Sequence, residues 1–205
     1  MDFIVALYSC FIAGKVAVPI NAAEQFEELT YILDNTQCRL ALTTDHNLKV
    51  FVRDLAAQKK ELPSRVEWLK TNDIGGYYPK KREDHMHISN AEWAYIEFTK
   101  SPSGELKGVV INHKTIMQQC LVMRGAIVEK EFQANMETVA DPLAYAGNKQ
   151  SDVMLTYLDP RQQVGLILGA LWGVYCGNMT VFLGSLAPDT PGLWVNCVSR
   201  YKGNR

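Results

Sequence analysis

Within the eleven residues Phe98-Thr-Lys-Ser-Pro-Ser-Gly-Glu-Leu-Lys-Gly108, the chain gathers three hydroxyls (Thr99, Ser101, Ser103), a glycine and the lysine Lys107. Phosphate is the ligand that such a set can take. Hydroxyls and free backbone N–H groups of a tight connection converge on anionic oxygens, a lysine at the exit adds charge, and Gly104 lets the backbone come close. A Walker loop is excluded, because Lys107 is followed by Gly108 and not by Ser or Thr. Taken alone, the Ser/Pro/Gly content fits a plain surface turn better than a ligand site.

The remaining reactive side chains form no comparable set. His46, His85 and His87 stand in polar segments without a Cys or carboxylate at ligand spacing, so no metal site is assigned. The cysteines Cys10, Cys38, Cys120, Cys176 and Cys197 are an odd number at scattered spacings without a CxxC pair, which reads as reduced thiols and a cytosolic setting. No residue is assigned a catalytic role.

The elements around the Thr99–Gly108 segment alternate. An apolar helix from Phe3 to Ala13 stops at Gly14, and Lys15 to Ile20 reads as a short strand. Helix (Glu24 to Asp34), strand (Arg39 to Thr43), helix (Asn47 to Lys59) and strand (Arg65 to Leu69) follow. Residues 71–90 are polar and read as a solvated loop. Two strand-like runs, Ala94 to Phe98 and Gly108 to Ile111, flank the hydroxyl-rich segment, with a helix from Lys114 to Val128 behind them. After a second polar loop, 129–151, come a strand (Asp152 to Leu158), a helix (Gln163 to Tyr175), a strand (Asn178 to Leu183) and a helix from Pro191. The expected architecture is α/β: a layered, mostly parallel sheet with flanking helices.

Composition excludes several classes. With 47% hydrophobic and 21% charged residues, the 205-residue chain is an ordinary globular one. Its net charge of -1 gives no surface built for nucleic acid. Phe3 to Ala13 and Val164 to Cys176 are shorter than the roughly 20 apolar residues of a membrane-spanning helix.

The hydroxyl-rich segment resembles the phosphate-loop signature of adenylate-forming enzymes, (Y/F)TSG(S/T)TGxPKG followed by a short strand and a histidine, here Val109 to His113. Leu7 to Pro19 is similar to their GxxxAGxxxVP stretch, and Tyr157 to Ile167 to their WLPxxHDxGL motif. Trp194 to Tyr201 resembles a helix of fatty-acyl-AMP ligases. Asp159-Pro-Arg-Gln162 resembles the DPRQ of the acyl-AMP ligase-like domains of disco-interacting protein 2 and its fungal relatives.

The resemblance implies that Thr99, Ser103, Gly104, Lys107 and Gly108, with the added hydroxyl of Ser101, hold the phosphates of ATP assisted by magnesium. A carboxylic or fatty acid would then be converted to an acyl-adenylate. It also implies an incomplete N-terminal subdomain spanning 1–205. The family's adenine-binding, ribose-binding and lysine-bearing segments have no counterpart here, so the remaining part of the same polypeptide is the implied partner. Four departures point the other way: Ser101 replaces a glycine, Pro102 removes an N–H, and Gln162 and Gln163 stand where His and Asp are usual. A catalytically degenerate module that binds a nucleotide, an acyl group or a protein is the alternative. Gly165, Gly169 and Gly173 either line an acyl pocket or permit close helix–sheet packing.

Overall fold

Leu29, Ile32 and Leu33 share one face of helix α2 (Leu29–Thr36), and all are buried. The computed structural model describes residues 2–21, 28–74, 92–134, 153–184 and 189–201. The chain divides into two units, residues 1–110 and 111–205.

In the first unit, α1 (Asp2–Ile12) buries Leu7 and leaves Val5 and Ile12 exposed. Gly14 takes a φ of 63°, and Lys15 N–H returns to the Cys10 carbonyl at 2.8 Å, ending the helix. The strand expected over Lys15 to Ile20 reduces to one parallel bridge between Ala17 and Tyr95, because Pro19 withholds the next donor on that strand face. α2 ends at Gln37 in the left-handed region (φ 50°), where Cys38 N–H bonds the Leu33 carbonyl. Leu29 and Leu33 pack on Val66, with Ile20, Cys38, Ala41 and Trp68 around them.

Strands β1 (Leu40–Thr43) and β2 (Glu67–Lys70) pair in parallel, Leu40 opposite Glu67 and Thr43 opposite Lys70. The crossover is α3 (Asp45–Ala57), so the expected run of strand, helix and strand closes as a parallel βαβ unit. Thr44 caps α3, its hydroxyl accepting from Asn47 N–H at 3.3 Å. α4 (Thr71–Ile74) follows β2 directly, so the loop expected over 71–90 opens as a helical turn. Residues 75–90 lie outside those described.

Asp45 ties the start of α3 to the end of β2, with Lys49 at 2.6 Å and Lys70 at 2.8 Å. Hydrogen bonds from Lys49, then Lys70, lower its pKa from 3.8 to about 2. A depressed carboxylate contributes stability above its unfolded pKa and loses it as pH falls through the folded one. Asp45→Asn is therefore expected to narrow the drop in urea midpoint between pH 4 and pH 2. An unchanged acid limb would show that the pair contributes nothing.

β3 (Trp93–Lys100) and β4 (Leu106–Asn112) are neighbours joined by residues 101–105. So short a link permits only an antiparallel hairpin.

In the second unit, α5 (His113–Ala134) follows β4 without a loop. It takes in the first six residues of the loop expected over 129–151, and residues 135–151 lie outside those described. Cys120 of α5 packs on Met154 and Trp172. β5 (Val153–Thr156) and β6 (Met179–Phe182) pair in parallel. Their crossover, α6, starts as Gln163–Gly165, runs through a π-helical stretch Leu166–Trp172 and closes as Gly173–Cys176. Gly177 (φ 69°) ends it, with Asn178 N–H on the Gly173 carbonyl at 2.9 Å. α7 (Pro191–Tyr201) sets Trp194 edge-on to Tyr157 at 5.8 Å. The described residues thus form small parallel strand pairs and one hairpin with flanking helices, in keeping with the α/β class expected.

Candidate functional site

Residues 101–105 form a turn closed on itself. Gly104 N–H donates to the Ser101 carbonyl at 2.8 Å, with Pro102 second in the turn and Gly104 at φ 83°. This is where a β-turn favours Ser, Pro and Gly. Ser101 N–H donates to the Glu105 carbonyl (2.9 Å), and Glu105 N–H to the Ser101 hydroxyl (3.1 Å). The hydroxyls of Ser101 and Ser103 bond each other at 2.7 Å.

The residues expected to share one loop are divided between it and the strands. Thr99 lies in β3, while Lys107 and Gly108 lie in β4, because ladder pairing runs further toward the turn than composition suggests. Ser101, Ser103 and Gly104 are brought together. Lys107 is exposed, its ammonium 3.1 Å from the Glu105 carboxylate. A Cβ at Gly108 would come within 3.2 Å of Ile96 and Phe98, so this glycine accommodates the Phe98 ring.

Two further charged groups bear on the turn. Lys100, the last residue of β3, pairs with Glu28 just before α2. Seventy-two positions separate them (100 minus 28), and no local pattern announces the contact. The Glu105–Lys107 pair, by contrast, is local, two positions apart where β4 begins.

Beyond β5, the Arg161 side chain forks onto the Asp159 carboxylate, Nε at 2.9 Å and Nη2 at 2.5 Å. That hydrogen bond, opposed by burial, holds Asp159 below the usual carboxylate range. Gln162 and Gln163 are exposed at the start of α6. A Cβ on Gly165 would fall 2.0 Å from the Asp159 carbonyl oxygen. On Gly169 it would meet the Phe182 ring at 2.8 Å, and on Gly173 the Thr180 hydroxyl at 2.4 Å. Close packing accounts for all three glycines.

Among the described residues, no group of three His, Cys, Asp or Glu side chains is placed to hold a metal ion. No helix among them is long and apolar enough to cross a membrane.

Parallel βαβ units and a hairpin whose turn carries Ser101, Ser103 and Gly104 define the class as α/β. The chain belongs to the AMP-binding enzyme family, whose sequence pattern matches residues 1–204. An uncharacterized protein of Schizosaccharomyces pombe is 46% identical over the whole chain, and the homeostatic regulator of DAG of Saccharomyces cerevisiae is 26% identical over the whole chain. A disco-interacting protein 2 homolog, B-A of Danio rerio, is 24% identical over 98% of it. The chain spans only 14%, 13% and 12% of these relatives. The fatty acyl-adenylate ligase from L. pneumophila, solved with acyl adenylate and pyrophosphate, superposes with a TM-score of 0.64 at 18% identity. That match covers 99% of this chain and 32% of the ligase. The expected resemblance and fold class are borne out.

Proposed function

We propose that this chain is part of an acyl-AMP ligase-like domain that activates a carboxylic acid, of fatty-acid type, with ATP, and that its residues do not suffice alone. The carrying observation is the ordered set of family motifs, with the Ser101–Glu105 turn at the end of β3. In this reading Thr99, Ser101, Ser103, Gly104, Lys107 and Gly108 attend the ATP phosphates. A carboxylate oxygen attacks the α-phosphorus, and the bond to the leaving pyrophosphate breaks. Alignment and charge neutralisation are the protein's contribution.

The described residues do not fit a protein-built magnesium site, since the turn's own carboxylate, Glu105, rests on Lys107. Magnesium would arrive on the nucleotide's phosphates.

The remaining part of the polypeptide would cover apolar side chains now exposed, among them Met117, Leu121 and Val122 on α5 and Val195 and Val198 on α7. Cytosolic residence is supported by five cysteines that are all free thiols.

The test is acid-dependent exchange of pyrophosphate into ATP by the complete polypeptide. Lys107→Ala is expected to lower it by about a hundredfold, the lower end of the loss for one transition-state donor. Absence of any acid-dependent exchange would sink the ligase reading.

A second reading, a degenerate binding or regulatory module, is favoured by one specific observation. Pro102 has no N–H, and those of Ser101, Gly104 and Glu105 are engaged inside the turn. Gln162 and Gln163 add two neutral amides at the usual His and Asp positions, and one relative is named as a regulator. Nucleotide or acyl binding without exchange would select this reading.

A further inference from the structure

An anion approaching the turn finds few neutral donors left. Pro102 offers none, three N–H groups are engaged, and one of the two serine hydroxyls is spent on the other. Charge must then supply what the backbone does not.

Two lysines flank the turn, each resting on a carboxylate. Lys107 and Glu105 are exposed at 62% and 65%, so water screens the pair and it separates readily. Lys100 is also half exposed, at 55%, but the Glu28 side chain is only 15% exposed. The second Glu28 oxygen, Oε2, is buried with no hydrogen-bond partner among the described residues. Taking Lys100 away would leave a largely desolvated charge uncompensated, so Glu28 holds its lysine harder than Glu105 does.

We propose that Lys100 is a second cation of the phosphate turn and that Glu28 is its intramolecular competitor. A polyphosphate must draw the Lys100 ammonium from Glu28, and the strength of that pair sets the affinity of the turn. The proposal rests on the reading of the turn as a phosphate site.

Titration calorimetry with inorganic pyrophosphate tests it on the complete polypeptide and on its Glu28→Gln, Lys107→Met and double Glu28→Gln/Lys100→Met variants. The double variant is used because Lys100→Met alone strands the Glu28 charge. Glu28→Gln is expected to tighten binding roughly three- to tenfold, the scale of one charge-assisted contact. The double variant should lose that gain, and Lys107→Met should weaken binding. Binding that appears only in Glu28→Gln also supports the proposal. If Glu28→Gln and the double variant bind alike while Lys107→Met weakens binding, the turn is a phosphate site but Lys100 has no part in it, and the proposal is overturned. If every variant binds as the parent does, or none binds, the phosphate reading of the turn falls and the proposal falls with it.

Discussion

Gly165→Ala is expected to lower the unfolding free energy of the second unit by about 3 kcal/mol or more, the upper range for forcing atoms into a packed site. The added methyl would lie 2.0 Å from the Asp159 carbonyl oxygen and 2.6 Å from its carbon. Both are backbone atoms, and the same carbonyl accepts the Gln162 N–H at 3.0 Å, so the obstacle cannot rotate away. Helix propensity alone predicts the opposite sign, since alanine is favoured over glycine by about 1 kcal/mol inside a helix. The direction of change in a urea titration therefore decides whether close packing governs this residue. Gly173→Ala provides the control. Its methyl would meet the Thr180 hydroxyl, the end of a side chain, and the cost should shrink when Thr180→Ala is added. A neutral or stabilising Gly165→Ala would overturn the packing account of the glycines in α6.

Trp172→Ala is expected to cost about 3–5 kcal/mol, the range for truncating a buried aromatic. Trp172 is 5% exposed and packs with Cys120 of α5 and Met154 of β5, so it joins helix to strand inside the second unit. Its indole Nε1 is buried with no hydrogen-bond partner among the described residues, a group whose unmet desolvation costs about 1–3 kcal/mol. Trp172→Phe removes that donor and keeps much of the apolar contact, so it should cost far less, on the order of 1 kcal/mol. The same urea titration measures both. A phenylalanine variant as unstable as the alanine one would mean that the indole N–H is satisfied.

The two experiments address the scaffold, and the scaffold was the more legible part of this chain. Apolar spacing at Leu29, Ile32 and Leu33 marks α2 because side chains three and four apart share a helical face. The strands at Leu40–Thr43 and Val153–Thr156 were legible as short apolar runs between turn residues. Lys15 to Ile20 carried the same composition yet forms one bridge, because a strand needs a partner along its length and Pro19 cannot donate. The helix expected to stop at Val128 runs to Ala134, since weak periodicity describes a face without fixing where hydrogen bonding ends.

At the turn, the order of residue types was enough to gather Ser101, Ser103 and Gly104 and to bring out the family, because a signature of consecutive residues is a local property. Sequence alone also determined that Pro102 lacks an N–H, whatever the fold does around it. Tertiary structure decided the rest. It placed Thr99, Lys107 and Gly108 on strands, turned the N–H groups of Ser101, Gly104 and Glu105 into the turn, and set Lys100 against Glu28. It also laid Gly165 against the Asp159 carbonyl. Ladder length, the facing of a donor and the meeting of distant charges depend on which segments pack together. That choice follows from burial summed over each whole unit, a quantity that no stretch of ten residues contains.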